Sequence, residues 1–392
     1  MPWEATSPVQ QRQQFIDEYM KQESSVAELS RRFGISRKTA YKWIERFLSG
    51  CELSDRSRRP HSNPRAVREE LVDAIVAARK QRPRWGPRKL REVFRRAHPG
   101  AELPSVSTFA LILSRNGLVV PRKRRRRTPP STQPLSHVDE ANRLWCIDFK
   151  GDFLVGRTRC YPLTVMDAHT RYLLACVALP NTRASGVKRA LVDVFRQFGL
   201  PHAIRSDNGS PFASRAPAGL SELSAWWMKL GIRHERIEPG KPQQNGRHER
   251  MHLTLKLDTA MPPRGSLRAQ QRAFDRFRRE YNELRPHEAL GDRTPADFYQ
   301  PSVLVLPEPS WGKDFVYPED FEPVRVRKPG TLRWNDRSVF VSSTLRHELL
   351  GLRRCRNSWD VYFGPTLLGS LRTSNKKLAF MSQSEPSPMS SE

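Results

Sequence analysis

This chain lacks three features that mark other classes of protein. No apolar run approaches the roughly 18 residues that a membrane-spanning helix requires, and the opening segment MPWEATSPVQQRQQF lacks the apolar core of a signal peptide. The five cysteines are scattered and form no CxxC pair, which argues against a zinc ribbon and a disulfide framework. We therefore expect a soluble protein of a reducing, intracellular compartment that has no membrane partner.

Acidic residues are scarce relative to basic ones. The chain holds 68 Lys and Arg against 41 Asp and Glu, which gives a net charge of +27. Residues 1–135 contain 29 basic and 13 acidic side chains, so 16 of the 27 excess charges lie in about a third of the chain. Folding does not require this charge, which instead indicates an anionic partner such as nucleic acid. A length of 392 residues predicts several domains.

Residues 1–51 have the pattern of a helix-turn-helix DNA-binding domain. Apolar residues recur at helical spacing on both sides of Gly34, which can end one helix in a left-handed conformation, and Ser36 can cap the next. An ordinary helical hairpin with a solvated basic face is the alternative. If the second helix lies in the major groove, it presents base and phosphate contacts. These contacts are predicted to be Arg37, Lys38, Tyr41 and Lys42.

Residues 66–121 repeat this pattern less sharply, with helices predicted around Ile75, Leu90 and Phe109. We interpret them as a second helix-turn-helix domain. Residues 122–135 then join six consecutive cations to a proline-rich stretch and are predicted to be a linker. Such a basic run is usually a solvated segment, but here it can follow DNA phosphates. Its predicted DNA contacts are Arg122, Lys123 and Arg124.

Residues 136–300 change to a mixed pattern of strands and helices in the order βββ-α-β-α-β-α, which predicts a mixed sheet with helices packed on it. Asp148 lies in the first strand, Asp207 follows the fourth, and Glu249 lies inside the last helix. Several carboxylates in one cleft repel each other unless cations neutralise them, and hard divalent ions suit oxygen ligands. Two such ions can activate a hydroxyl and stabilise the leaving oxygen at phosphorus.

Two other interpretations of these residues remain open. Asp152 and Asp167 also lie near the first strands and could replace Asp148. Residues 248–252 read HERMH and match HExxH, which on a helix can bind zinc for peptide hydrolysis. No third zinc ligand is evident nearby, and the chain carries DNA-binding patterns, so we consider a zinc peptidase a minor alternative.

Four motifs in order resemble bacterial insertion-sequence transposases with a retroviral-integrase type of catalytic core. They are WCIDFKGDF, SDNGSPF, PGKPQQNGRHERMHLTLK and YNELRPHEALGDRTPADFY. The resemblance implies an RNase H-like fold in which Asp148, Asp207 and Glu249 are catalytic and bind Mg²⁺, with Mn²⁺ as a substitute. One departure is the gap between Asp207 and Glu249, which has 41 intervening residues and is wider than the commonest form.

The resemblance further implies an enzyme that binds double-stranded DNA at terminal inverted repeats, cleaves it and transfers strands into target DNA. An element has two ends, so we expect a homo-oligomer of at least two protomers on DNA, in the bacterial cytoplasm and associated with the nucleoid. A non-catalytic DNA-binding regulator that retained the fold is the alternative. The core is expected to contact DNA through Lys241, Asn245, His252 and Lys256.

The C-terminal region has short strands joined by turns. We predict a small β-barrel over residues 324–373 and a disordered tail over 374–392. The sequence therefore predicts a multidomain protein with N-terminal all-α helix-turn-helix domains, a central α/β RNase H-like core and a C-terminal small β-barrel.

Overall fold

The computed structural model describes residues 7–56, 66–119, 138–238, 246–356, 358–374 and 377–382. Backbone contacts divide the chain into two compact units, Met1–Arg68 and Glu69–Glu392. Within the described ranges, no helix combines the length and the apolar character needed to cross a membrane. Five of the predicted DNA contacts lie outside the described residues: Arg122, Lys123, Arg124, Lys241 and Asn245.

The first unit is a bundle of three helices. They are α1 (Pro8–Met20), α2 (Val26–Arg32) and α3 (Arg37–Leu48). The side chains of Ser25 and Ser36 accept the N-terminal hydrogen bonds of α2 and α3, and Gly34 has the positive φ of +64° that the turn between them requires. The helices bury a shared apolar core. It comprises Phe15, Ile16, Leu29, Ala40, Trp43, Ile44 and Leu53.

The second unit begins with three more helices. They are α4 (Glu69–Gln81), α5 (Pro87–Ala97) and α6 (Val106–Arg115). Basic side chains of α5 bind the segment that follows the last long helix of the unit. Arg88 Nε donates to Asp292 Oδ2 at 2.7 Å, and Lys89 Nζ donates to the Pro286 carbonyl oxygen at 2.7 Å. This helix is therefore docked on protein, and α6 retains an exposed face that includes Leu111.

A mixed sheet and four helices form the centre of the second unit. The strands are β1 (Leu144–Phe149), β2 (Phe153–Val155), β3 (Thr158–Asp167), β4 (Leu173–Leu179), β5 (Ala203–Ser206) and β6 (Arg233–Arg236). The helices are α7 (Ala184–Phe198), α8 (Glu222–Lys229), α9 (Gly246–Thr259) and α10 (Leu267–Arg279). The order along the chain agrees with the predicted alternation, with β2 as an additional short strand.

The sheet has the order β2-β3-β1-β5-β6, and β4 also pairs with β3. Strands β1, β3 and β4 are antiparallel, whereas β1, β5 and β6 are parallel. Alternate residues of β1 point to opposite faces. Trp145 and Ile147 face a core shared with α7 and α8, whereas Met166 of β3 faces a second core with α9 and α10. The sheet is thus covered by helices on both faces.

The C-terminal region is rich in strands but is not a closed barrel, so that part of the predicted fold class is wrong. Its strands are β7 (Phe321–Arg325), β8 (Thr331–Trp334), β9 (Arg337–Phe340), β10 (Leu349–Cys355), β11 (Ser358–Phe363), β12 (Thr366–Ser374) and β13 (Lys377–Ser382). Five of them form an open sheet in the order β13-β12-β11-β10-β7, and β8 and β9 form a separate hairpin. Strand pairing extends through β13, which lies within residues 374–392, the range that the sequence predicted to be a disordered tail.

The sheet stays open because other elements cover its apolar face. Leu332 and Val341 of the hairpin region pack against Leu352 and Val361 of the sheet. Leu220, just before α8 of the central core, and Ala225, within α8, join the same cluster. With its inner face already buried, the sheet gains nothing from curling until β7 meets β13.

Candidate active site

The register between β1 and β5 brings the first two predicted acids together. These strands are parallel, with Cys146 opposite Arg205. Counting two residues further along each strand places Asp148 beside Asp207. Neighbouring strands lie about 4.8 Å apart, and residues in the same register point to the same face. The Asp148 side chain is largely buried, with 20% of it exposed. Two acids with 58 residues between them in the sequence are thereby fixed at one edge of the sheet.

The loop after β5 holds Asp207 through short polar contacts. The Gly209 backbone N–H donates to Asp207 Oδ1 at 3.1 Å, and Ser206 Oγ donates to the Asp207 carbonyl oxygen at 2.8 Å. Asn208 Nδ2 donates to the carbonyl oxygen of Ile237, just beyond β6, at 2.6 Å. Asn208 and Gly209 thereby fasten the loop and the carboxylate.

Helix α9 presents the third acid. Its buried face packs on the sheet and consists of His248, Met251, His252, Leu255 and Thr259. Glu249 lies in the first turn, and its side chain is exposed, as is that of Lys256. His252 was predicted to contact DNA alongside them. It is 3% exposed, so the structure corrects that prediction: helical spacing put His252 near Glu249, but its ring points into the sheet.

The charges of Asp207 and Glu249 act on the Asp148 carboxyl. The pKa of Asp148 is raised to about 7, first by burial and then by the charge of Asp207, with a smaller contribution from Glu249. A backbone hydrogen bond from Phe149 and the charge of Lys150 act in the opposite direction. Within the described part of the chain, no three His, Cys, Asp or Glu side chains converge closely enough to enclose a metal ion. A shared ion would therefore require the exposed Glu249 side chain to approach the two aspartates.

The two aspartates that could have replaced Asp148 have other partners. Asp167 is fully buried, and its carboxylate accepts backbone hydrogen bonds from Asn142 and Thr170 at 2.8 and 2.7 Å. It therefore stabilises the loop between β3 and β4. Asp152 pairs with Arg159 across the β2–β3 hairpin.

The two histidines of the HExxH pattern converge on a hydroxyl. His248 Nε2 lies 2.6 Å and His252 Nε2 lies 2.7 Å from Thr164 Oγ1. Zinc binds imidazole nitrogen at about 2.0–2.1 Å, so an ion bridging these two nitrogens would have to displace the threonine side chain. The geometry disfavours the zinc peptidase. Sequence reasoning missed Thr164, since nothing distinguishes it among the residues of β3 until its position opposite Asp148 is known.

The exposed face of α3 carries the predicted contacts of the first unit. Arg37, Lys38, Tyr41 and Lys42 are all exposed, and Tyr41 retains 59% of its accessible surface. The opposite face holds the buried Trp43, over whose ring the Arg12 guanidinium lies at 3.9 Å. The helix therefore separates a packed face from a basic face, as the sequence predicted.

Family comparisons cover the chain in overlapping segments. Models described as integrase core domains match residues 138–242 and 230–295. A helix-turn-helix domain model matches residues 11–61, and a homeodomain-like domain model matches residues 39–113. Together they indicate DNA-binding helical domains followed by an integrase core.

Several relatives among known proteins come from insertion elements. The uncharacterized 39.2 kDa protein of insertion element IS476 from Xanthomonas euvesicatoria is 31% identical over 255 residues, which span 63% of this chain and 70% of that protein. The uncharacterized 31.7 kDa protein of insertion element IS407 from Burkholderia multivorans is 30% identical over 239 residues, which span 60% of this chain and 83% of that protein. Transposase InsD of insertion element IS2 from Escherichia coli is 26% identical over a match that spans 55% of this chain and 73% of that protein. The chain therefore belongs to the family of insertion-element transposases that combine helix-turn-helix domains with an integrase core.

Proposed function

We propose that this protein is an active, metal-dependent transposase that binds the ends of its own insertion element, cleaves there, and joins the freed 3′-hydroxyl to target DNA. One observation carries the proposal. Asp148 of β1 is largely buried at the edge of the sheet beside Asp207, and the charges of Asp207 and Glu249 both raise its pKa. Mutual repulsion of this kind has little value for folding and is the condition that a divalent cation relieves.

The donor set fits a hard divalent cation such as Mg²⁺. Asp148, Asp207 and Glu249 offer only oxygen ligands. Burial raises the pKa of Asp148, so a bound cation would stabilise its ionised form. When bound, the metal would supply activation of a water or 3′-hydroxyl and stabilisation of the leaving oxygen. The chain's own residues orient this set: Gly209 holds the Asp207 carboxylate, and α9 presents Glu249 beside the sheet.

Recognition of the element ends would fall to the helical domains. The basic face of α3 suits insertion into the major groove, with Arg37 and Lys38 near its N-terminal end. Lys256 is exposed on α9 two turns after Glu249 and can bind a phosphate near the cleaved bond. Because an element has two ends, we expect at least two protomers to assemble on DNA. Mn²⁺ should replace Mg²⁺, since both accept carboxylate ligands.

The test is strand transfer by the full chain on DNA that carries the element's end sequence, which can be read from the inverted repeats flanking the gene. With Mg²⁺ or Mn²⁺, the parent should form joined products and Glu249→Gln should form none. Asp152→Asn is the matched control, because this carboxylate pairs with Arg159 on a hairpin and should be dispensable. Equal products from parent and Glu249→Gln, or none from the parent, would instead favour the non-catalytic DNA-binding regulator.

A further inference from the structure

Thr164 is a buried node that connects the strand of the first acid to the helix of the third. It lies directly opposite Asp148 in the antiparallel register of β1 and β3, and its hydroxyl donates to the Asp148 carbonyl oxygen at 3.1 Å. The Thr164 hydroxyl oxygen also lies 2.6 Å from His248 Nε2 and 2.7 Å from His252 Nε2. Thr164 and His248 are fully buried, and His252 is 3% exposed.

Counting protons determines the tautomers of both histidines. A hydroxyl has one proton and two lone pairs. If the Thr164 proton goes to the Asp148 carbonyl oxygen, the hydroxyl accepts from His248 and His252, and both rings then carry their proton on Nε2. Burial supports neutral rings, because it lowers the pKa of His248 to about 3 and that of His252 to about 2.

The opposite ring nitrogens then have no proton to donate. His248 Nδ1 is buried and has no hydrogen-bond partner among the described residues. His252 Nδ1 lies 3.6 Å from Asp148 Oδ2 and, without a proton, cannot donate to it. The Asp148 carboxylate therefore keeps its oxygen lone pairs available on the side that faces α9.

The two histidines also fix how α9 is rotated. They are four residues apart and share one face of the helix, and Glu249 follows His248 directly, about 100° further around the axis. With both rings bonded to one hydroxyl, α9 cannot turn about its axis without breaking at least one buried hydrogen bond. Leaving a buried polar group unpaired is unfavourable, so these two hydrogen bonds define where Glu249 projects from the helix.

We propose that Thr164, through His248 and His252, is a positioning residue that sets Glu249 and Asp148 in the relative placement needed to share a divalent cation. The proposal rests on the proposed function and adds a role for the HExxH pattern: its histidines bind a threonine and hold the catalytic helix, and neither is a metal ligand. Outer partners of this kind typically change metal affinity or activity by about 10–100-fold when removed.

The experiment compares Thr164→Val, which removes the hydroxyl at nearly constant volume, with Thr164→Ser, which keeps it. Mn²⁺ binding to the full chain is measured by electron paramagnetic resonance, alongside strand transfer. Thr164→Val should weaken both by about 10–100-fold, and Thr164→Ser should stay within a few-fold of the parent. Parent-like Mn²⁺ affinity in a folded Thr164→Val protein overturns the proposal.

A second measurement observes the tautomers of the two imidazoles directly. Nitrogen-15 NMR of the imidazoles at pH 7 should show both buried rings as neutral Nε2–H tautomers, assigned by comparison with His248→Gln and His252→Gln. An Nδ1–H or doubly protonated ring at either position overturns the node. Failure of the proposed function is distinguishable, because the parent would then bind Mn²⁺ no better than Asp148→Asn while the tautomers remained as expected.

Discussion

Gly209 binds the Asp207 carboxylate through its backbone, and that carboxylate leaves little room for a side chain at position 209. The Gly209 N–H donates to Asp207 Oδ1 at 3.1 Å, and a β-carbon at position 209 would lie 3.1 Å from Oδ2 of the same carboxylate. That separation is tighter than most real Cβ contacts. The glycine thus anchors one carboxylate oxygen and leaves room for the other, which ties a backbone feature of the loop to the orientation of a proposed metal ligand.

Gly209→Ala should therefore reduce catalysis while leaving the fold intact. The added methyl group pushes on Asp207, and a displacement below 1 Å can cost on the order of 10-fold in rate. We expect a loss of about that size in single-turnover strand transfer, with little change in melting temperature. Gly265→Ala is the control, because a β-carbon there meets no atom within 4 Å. Parent-like transfer by Gly209→Ala would show that Asp207 tolerates rotation.

Lys38→Ala should weaken DNA binding by the first unit and reduce its salt dependence. The side chain is exposed near the start of α3, where a phosphate contact releases about one counterion. We expect the slope of log affinity against log salt to fall by about 1. Fluorescence anisotropy with end-sequence DNA at several salt concentrations measures this slope. Lys21→Ala is the control, since Lys21 pairs with Glu18 at 2.9 Å on α1, and an equal slope change in both variants would contradict the assignment.

Reversing the charge of Arg88 should loosen α5 from the central core. Arg88 binds Asp292 at 2.7 Å and Glu288 at 3.2 Å, so Arg88→Asp replaces attraction with repulsion. Arg88 is about half exposed, so solvent screening limits what these pairs contribute to stability. Amide hydrogen exchange in α5 should accelerate by several-fold.

The exchange of charges supplies the control for this prediction. Asp292→Arg added to Arg88→Asp should return exchange in α5 toward the parent rate. Arg95→Asp should have little effect, because Arg95 pairs with Glu92 within the same helix. If the double variant exchanges faster than either single one, the docking depends on something other than this pair.

His287→Gln should reduce the sensitivity of the second unit to acid. Burial, aided by Lys89 and Arg285, lowers the pKa of His287 to about 3. Below the ordinary value of about 6.5, the unfolded chain takes up a proton that the folded chain does not. The free energy of unfolding therefore falls as pH drops from about 6.5 toward 3, by up to about 1.4 kcal/mol per pH unit from this group.

Urea denaturation between pH 7 and pH 4 measures that slope. His287→Gln should lose stability less steeply than the parent as pH falls, whatever its stability at pH 7. His202→Gln, at an exposed position, should retain the parent slope. A slope in His287→Gln equal to that of the parent would mean that His287 is protonated in the folded protein.

Local patterns predicted the elements of this protein well. Gly34 lies in the turn after α2 and Ser36 caps α3, as expected, because caps and left-handed turns depend on neighbouring residues. The order of strands and helices in the core followed from hydrophobic periodicity. The family followed from motifs around Asp148, Asp207 and Glu249, which are contiguous stretches of sequence.

What the sequence could not predict depends on contacts between distant residues. Helical spacing grouped His252 with Glu249 and Lys256, but only the packing of α9 on the sheet turned the imidazole inward. The C-terminal strands were recognisable, yet whether they close depends on what covers them, and the hairpin and α8 supply that cover.

The sequence by itself determined the transposase family and the order of the helical and α/β regions, because each is encoded in short runs of residues. The tertiary structure alone decided that Thr164 faces Asp148 and receives both histidines, that Gly209 contacts Asp207, and that α5 is docked on the core. These relationships arise from strand register and helix rotation, which are set by the packing of the whole unit.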